Sequence, residues 1–269
     1  MRRGFLVLLC LWAMESMASA TWSVVAIDRS SGVIVVSSAT CVPQNRLAAF
    51  PAKGLMDIQA IVVPGTAVAA AQAGVDRTRQ NQMLIYRELR KGTPPDAIVA
   101  MLSADPAFET RQFGIIDRQG RTAGHSGAKN NPASLHRAGG VDGTAITYSI
   151  QGNILAGDAV VEKAVEALKG TSGSLADRVM AAMEAADREG GDKRCTCDTE
   201  PKTAAPCTAK TAHVAYILEA HAEDANVESF NDGRYAMYIN VTDEDIQSTE
   251  NANPVRTLRL RYDMWKKLH

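Results

Sequence analysis

The sequence has little excess charge and little repetition, and these absences disfavour several classes of function. Lys and Arg total 29 against 30 Asp and Glu, so the 269-residue chain has a formal net charge of −1. It contains no internal repeat, heptad pattern or low-complexity tract. Balanced charge lacks the basic footprint of a nucleic-acid-binding protein, so we expect no nucleic-acid partner and no attraction to an anionic membrane surface.

One apolar run lies at the N-terminus. Residues 1–20 combine a basic start, an apolar stretch and a small-residue cleavage site at 18–20, which is typical of a secretory signal peptide. The run is too short to span a bilayer, although an uncleaved anchor remains the alternative. Lipid attachment at Cys10 is disfavoured by the bulky Leu9 before it. We therefore predict a secreted or periplasmic protein that has no stable membrane anchor after cleavage.

Cysteine is scarce, with five in the whole chain. Cleavage after residue 20 leaves four, namely Cys41, Cys195, Cys197 and Cys207. An even number in an oxidising compartment predicts two disulfides, whose connectivity the spacing does not decide. The alternative is a zinc site built on Cys-x-Cys and the third nearby cysteine, but no neighbouring histidine completes an ordinary ligand spacing.

Histidine is also scarce, and its five positions show no i, i+4 pair and no nearby carboxylate cluster. These positions are His125, His136, His213, His221 and His269. No serine stands in a Gly-x-Ser-x-Gly context, which disfavours a serine hydrolase of that kind. We therefore expect no metal ion and no cofactor.

Strand-like and helical patterns alternate along the rest of the chain and predict an α+β domain. We expect strands over 22–27, 33–38, 57–63, 66–71, 112–117, 121–126, 144–151, 213–220 and 234–241, and helices over 75–91, 93–102, 158–169 and 174–189. One domain over 21–250 is predicted, with a cysteine-bearing insertion at 195–210. A homo-oligomer remains open.

Helix-capping patterns set three of the predicted boundaries. Capping boxes are expected at Thr93 with Asp96 and at Ser174 with Asp177. Pro254 begins a final amphipathic helix within 251–269. Its apolar stripe is Val255, Leu258, Tyr262, Trp265 and Leu268, and its basic side carries Arg256, Arg259, Lys266 and Lys267. We expect the stripe to dock on the domain, with partner binding as the alternative.

Cleavage after Ala20 would leave Thr21 as the N-terminal residue, directly at the start of a strand. A threonine hydroxyl needs a base to become a nucleophile, and an N-terminal threonine carries its own α-amine, with an ordinary pKa near about 8. The alternative is that signal peptidase simply leaves a small polar residue first. The ordered strand favours the catalytic interpretation because it would hold the hydroxyl in place.

Four segments together resemble a bacterial domain-of-unknown-function family, family 1028, that is classed with the N-terminal nucleophile (Ntn) hydrolases. They are 21–26, 120–123 with 126–127, 151–157 and 190–194, in the same order, and the likeness covers about residues 21–195. The resemblance implies a four-layer αββα sandwich. It also implies amide-bond hydrolysis through an acyl-enzyme on the terminal residue, with no settled substrate.

The same resemblance gives other residues expected roles. Asn153 would donate to an oxyanion, or else form a structural turn with its neighbouring glycine. Asp192 and Arg194 would orient the α-amine or hold a substrate carboxylate, or else form an ion pair that fixes the loop. Gln72 would border the cleft, or else satisfy buried backbone groups. The expected catalytic residues are thus Thr21, Asn153 and Asp192.

The chain departs from the family pattern after Arg194, where the polar insertion begins. The insertion either walls the cleft or ties down a long loop, and it puts the role of Arg194 in doubt. The leading hypothesis is a secreted amidohydrolase that acts on a small-molecule or peptide amide. The rival is a noncatalytic envelope protein that binds a small ligand or protein partner with the same fold, which a buried Thr21 amine would favour.

Overall fold

The computed structural model describes residues 21–49, 53–130 and 133–269. The predicted signal peptide, at 1–20, lies outside the described residues. The described chain forms two antiparallel sheets with helices, and this confirms the α+β class.

The described residues form ten strands in two sheets. They are β1 (Thr21–Asp28), β2 (Ile34–Thr40), β3 (Ala60–Val63), β4 (Ala67–Ala73), β5 (Arg111–Asp117), β6 (Thr122–Ser126), β7 (Leu135–Gly140), β8 (Ile146–Asn153), β9 (Val214–Ala220) and β10 (Met237–Thr242). One sheet has the order β10-β9-β2-β1-β8-β7 and the other β3-β4-β5-β6. The first strand is therefore central in the larger sheet.

Seven helices accompany the described strands. They are α1 (Gln44–Leu47), α2 (Leu55–Gln59), α3 (Gln80–Lys91), α4 (Pro95–Leu102), α5 (Ala159–Gly170), α6 (Leu175–Arg188) and α7 (Pro254–Leu268). Helices α5, α6 and α7 share an apolar cluster with the six-stranded sheet, and α3 and α4 share another with the four-stranded sheet. A third cluster lies between the two sheets.

Side chains along β1 alternate between two of these clusters. Trp22 and Val24 belong to the cluster beneath the helices, whereas Val25 and Ile27 belong to the cluster between the sheets. Successive strand side chains point to opposite faces, so Thr21 and Ser23 also face the other sheet. The residue at the start of β1 is thereby directed into the space between the sheets.

Several predicted boundaries were wrong in informative ways. The expected strand over 57–63 begins at Ala60, because Leu55–Gln59 form α2 and bury Leu55 and Ile58. The helix expected over 75–91 begins at Gln80. Strand β7 was missed, since its sequence Leu135–Gly140 is glycine-rich and reads as a loop.

Predicted helix ends gave mixed results. The capping box at Ser174 and Asp177 is present. The one at Thr93 is not, because Pro94 is the N-cap and the Thr93 hydroxyl instead donates to Glu88 Oε2 at 2.7 Å. In α7, Val255, Leu258 and Tyr262 are buried as expected, but Leu268 is 79% exposed. Among the described helices, none has the length and apolarity needed to cross a membrane.

Candidate functional site

Thr21 lies between two other polar residues in the middle of the six-stranded sheet. Its Cα partners are Thr40 on β2 and Asn153 on β8. The Thr21 hydroxyl donates to Thr40 Oγ1 at 3.4 Å, and both residues are almost fully buried. Asn153 is fully buried and ends β8, whereas the sequence placed it just after the strand.

Gln72, on β4 of the opposite sheet, connects the two sheets through its side-chain amide. Its Nε2 donates to the main-chain oxygen of Thr21 at 2.9 Å and to Gln112 Oε1 at 2.7 Å. Its Oε1 accepts from Ser23 Oγ and Gln59 Nε2, each at 2.7 Å. Gln72 therefore satisfies buried groups, as one of its two interpretations required, and fixes the main chain at Thr21 at the same time.

The glutamine network extends in both directions from Gln72. The Tyr216 hydroxyl donates to Gln59 Oε1 at 3.0 Å, and burial raises the pKa of Tyr216 well above its usual value. Gln112 Nε2 donates to Ser126 Oγ at 2.9 Å and to the main-chain oxygen of Gly152 at 3.0 Å. Since Gly152 precedes Asn153, the network holds strands β1 and β8 in register with the opposite sheet.

Asp192 and Arg194 form a turn beside this region, in which Asp192 is buried and Arg194 is exposed. Asp192 is fully buried, and its carboxylate accepts from the main-chain N–H of Cys41 at 2.9 Å and from Arg194 NH2 at 2.8 Å. Leu155 pairs with Asp192 in an isolated bridge, which ties the turn to the segment after Asn153. Asp192 and Arg194 thus form an ion pair, as one of their two interpretations expected, next to the end of β2 at Thr40.

Two residues at this end have an unusual backbone. Ala73 follows Gln72 and has φ 69°, and Ile154 follows Asn153 and has φ 54°. Left-handed φ is uncommon for residues with a Cβ and is an outlier for a β-branched one. Such strain is found preferentially at functional sites, where surrounding contacts hold it.

The four predicted disulfide cysteines form two bridges, Cys41–Cys195 and Cys197–Cys207. The first joins the end of β2 to the Asp192 turn, and the second closes a short loop inside the insertion. His213 lies against the first bridge, so that its ring and the two sulfurs offer ligand atoms within 4.8 Å of one another. Burial lowers the pKa of His213 to about 4. No local pattern in the sequence indicates this neighbour, which lies 18 positions after Cys195.

The described residues line a small cavity that reaches Gln72 and two larger surface cavities. A cavity of about 540 Å³ is lined by Asp76, Asn81, Asp105 and Arg111, among others. Three of these residues also line a water-sized cavity of about 10 Å³ that reaches Gln72. The other surface cavity, of about 500 Å³, lies around the Asp57–Arg79 ion pair.

Three of the five predicted site residues, Thr21, Gln72 and Asn153, lie at one end of the space between the sheets, and Asp192 and Arg194 lie beside it. Thr21, Gln72 and Asn153 are joined by direct contact or strand register, and Asp192 with Arg194 is joined to them through Cys41. Sequence reasoning missed Gln59, Gln112, Tyr216 and His213. Regular alternation in β5 would have directed Gln112 inward, but the others depend on tertiary folding.

Comparisons with known proteins confirm the resemblance to the domain-of-unknown-function family. A family model described as "Family of unknown function (DUF1028)" matches residues 21–212. The crystal structure of a Silicibacter pomeroyi protein, assigned to the same family model, is similar with a TM-score of 0.63 and 19% identity over 91% of this chain and 89% of that one. A search of curated proteins finds no match. The structural match supports the fold alone.

Proposed function

We propose, for a chain that belongs to the DUF1028 family of unknown function, that it is an exported amidohydrolase whose nucleophile is Thr21. The observation that carries the proposal is the position of Thr21. It heads the central strand β1 and faces a buried polar region between the sheets. A hydroxyl there would be held by strand pairing on both sides rather than by a flexible terminus.

Removal of residues 1–20 would convert the Thr21 nitrogen from an amide to an amine. That amine would take the hydroxyl proton directly or through one water, a role that typically contributes about 10²- to 10⁴-fold to a rate. Asn153, directly across the strand pair from Thr21, would donate its side-chain N–H to the oxyanion that forms on the attacked carbonyl. Asp192 would fix the turn behind this pair through Arg194 and Cys41 rather than react itself.

The fold is proposed to be the four-layer αββα sandwich of the Ntn hydrolases. Its support is the set of three apolar clusters, one between the sheets and one beneath the helices on each outer face. Export to a secreted or periplasmic location is supported by the two disulfides, which persist in oxidising compartments.

A β-lactone probe on the exported protein tests this proposal. Intact mass and N-terminal sequencing should show a chain that starts at Thr21 and gains one probe mass on that residue. Thr21→Ser should retain labelling, because serine keeps the hydroxyl and the amine. Thr21→Ala should lose it, while Thr66→Ala, which removes an exposed turn hydroxyl, should not.

A chain that keeps Ala20 ahead of Thr21 provides the sharpest control. It retains the threonine hydroxyl but carries an amide where the base is required, so labelling should fall to background. Equal labelling of this chain would exclude an N-terminal nucleophile and overturn the mechanism.

The rival function is a noncatalytic binding protein with the same fold. The observation in its favour is the burial of Thr21, which is only 2% exposed in the uncut chain. This function predicts an unlabelled Thr21 in the cut protein, together with a thermal shift on addition of a small ligand. Labelling at Thr21 would exclude it.

A further inference from the structure

We propose that Cys41, Cys195 and His213 form a binding site for a divalent metal ion of the zinc class when the Cys41–Cys195 disulfide is reduced. This site is independent of the proposed hydrolase activity. It arises from three distant parts of the chain, namely the end of β2, the turn after Asp192 and the residue before β9.

The three ligand atoms already lie close enough for one metal ion. They are within 4.8 Å of one another, and all three residues are buried. Zinc binds thiolate sulfur at about 2.3 Å and imidazole nitrogen at about 2.0–2.1 Å, so tetrahedral ligand atoms are separated by roughly 3.3–3.8 Å. Separation of the two bonded sulfurs is therefore the main movement that metal binding requires.

His213 is held in position for this role by the backbone. Its main-chain N–H donates to the main-chain oxygen of Thr40 at 2.7 Å, directly before Cys41. The side chain belongs to a residue that is only 1% exposed, and neither ring nitrogen makes a hydrogen bond of standard geometry. A backbone group of Glu200 approaches the ring without reaching that geometry. Buried polar atoms are nearly always satisfied, so an imidazole in this state points to a ligand.

The chemistry balances with a dithiol as the reductant. The dithiol is oxidised to its disulfide while Cys41 and Cys195 each gain a proton and become thiols. Binding of a divalent ion then releases both thiol protons to solvent, and two thiolates neutralise the charge of the metal. Three protein ligands leave a fourth position for water.

Cobalt binding to a variant that lacks the second bridge tests the proposal. Cys197→Ser with Cys207→Ser leaves Cys41 and Cys195 as the thiols of residues 21–269, so metal cannot be held by the other pair. After reduction with a phosphine, this protein should bind one equivalent of Co²⁺ and develop a thiolate-to-cobalt charge-transfer band. Zn²⁺ should displace the cobalt. The oxidised protein should develop no band.

Replacement of the histidine separates a three-ligand site from simple thiol binding. His213→Ala in the same background should weaken Co²⁺ binding at least tenfold and alter the spectrum. His136→Ala removes a different, partly buried histidine and should leave the titration unchanged. Far-UV circular dichroism should establish that each reduced variant is folded, and His213→Gln replaces any alanine variant that is not.

Two outcomes would overturn the proposal. The reduced protein would take up no stoichiometric cobalt, or folded His213 variants would bind it as tightly as the parent. Neither readout uses catalysis, so failure here leaves the proposed role of Thr21 untouched. Failure of β-lactone labelling would likewise leave this metal site untouched.

Discussion

The space between the two sheets has two ends of opposite chemistry, although the same strands build both. The apolar end contains Val25, Ile27, Ile34, Val36, Val62, Val68 and Ile116. The polar end contains Thr21, Ser23, Ser38, Thr40, Gln72, Gln112, Gln151 and Asn153, all buried. Burial of apolar surface stabilises the first end, whereas the second must recover lost hydration through hydrogen bonds. A packed apolar region would cost no such hydration, so the polar end is the part of the fold that the proposed role of Thr21 would account for.

The Cys41–Cys195 disulfide, next to the polar end, should contribute more to the free energy of unfolding than the Cys197–Cys207 disulfide. Cys41–Cys195 joins residues 154 apart and Cys197–Cys207 residues 10 apart. On the chain-entropy model, these loops correspond to roughly 5 and about 3 kcal/mol of stability. We expect Cys41→Ser with Cys195→Ser to lower the free energy of unfolding in urea by about 2 kcal/mol more than Cys197→Ser with Cys207→Ser. Equal losses of unfolding free energy in the two double variants would show that the Cys41–Cys195 bridge adds no extra stability to the polar end beyond its hydrogen bonds.

Truncation along β2 should sharpen the contrast between the ends. Ile34 and Ser38 point into the same space, four residues apart, and both are fully buried. Ile34→Ala should cost about 3 kcal/mol because it leaves a cavity at the apolar end. Ser38→Ala removes a hydrogen bond to the main-chain oxygen of Trp22 and should cost about 1 kcal/mol. Urea unfolding measures both, and a larger loss for Ser38→Ala would contradict the assignment of the two ends.

Low pH should reduce the free energy of unfolding because His136, beside the polar end, resists protonation in the folded chain. Its ring contacts Ser149 Oγ at 2.9 Å, and burial lowers its pKa from 6.5 to about 4. Below pH 6.5 the unfolded chain binds a proton that the folded chain does not, so stability falls as pH drops from 6.5 towards 4, by about 3 kcal/mol. His136→Gln should flatten this part of the stability profile by one proton. An unchanged slope would show that the histidine is hydrated when folded.

How far the sequence predicts this region depends on the range of the interaction. Thr21 could be selected from local signals, because a cleavage site precedes it and a strand follows it. Gln72, Asn153, Asp192 and Arg194 were selected because the family resemblance implies roles for them, and each stands at a strand end or helix stop. The Ser174 capping box is equally local, and it was found. Two bridges were predicted, but their pairing was not.

Long-range contacts account for what was missed. Gln59 reaches Gln72 only because α2 replaces the first part of an expected strand, and tertiary packing of Leu55 and Ile58 decides that change. His213 meets Cys41 through the pairing of β2 with β9, which joins residues more than 170 apart in sequence. No periodicity in either segment indicates that meeting. The glycines of β7 give its sequence a low strand propensity. The segment forms a strand because it pairs with β8, which the local sequence does not indicate.

The smallest expected effect tests whether the strain at the polar end is real. Ala71 and Ala73 both lie on β4 and are buried, but only Ala73 has a left-handed φ, of 69°. Ala71→Gly should cost about 1.5 kcal/mol, from a lost methyl group and the greater freedom of glycine when unfolded. At Ala73 the same losses are offset by about 1–2 kcal/mol of relieved strain, so Ala73→Gly should stay within about 0.5 kcal/mol of the parent. Paired urea unfolding curves measure the difference. If both variants lose the same free energy of unfolding, the left-handed backbone of Ala73 is not strained. The unfavourable free energy of the polar end would then come from its buried polar groups alone. If they differ as expected, labelling of Thr21 in Ala73→Gly then reports whether that strain helps to hold the nucleophile.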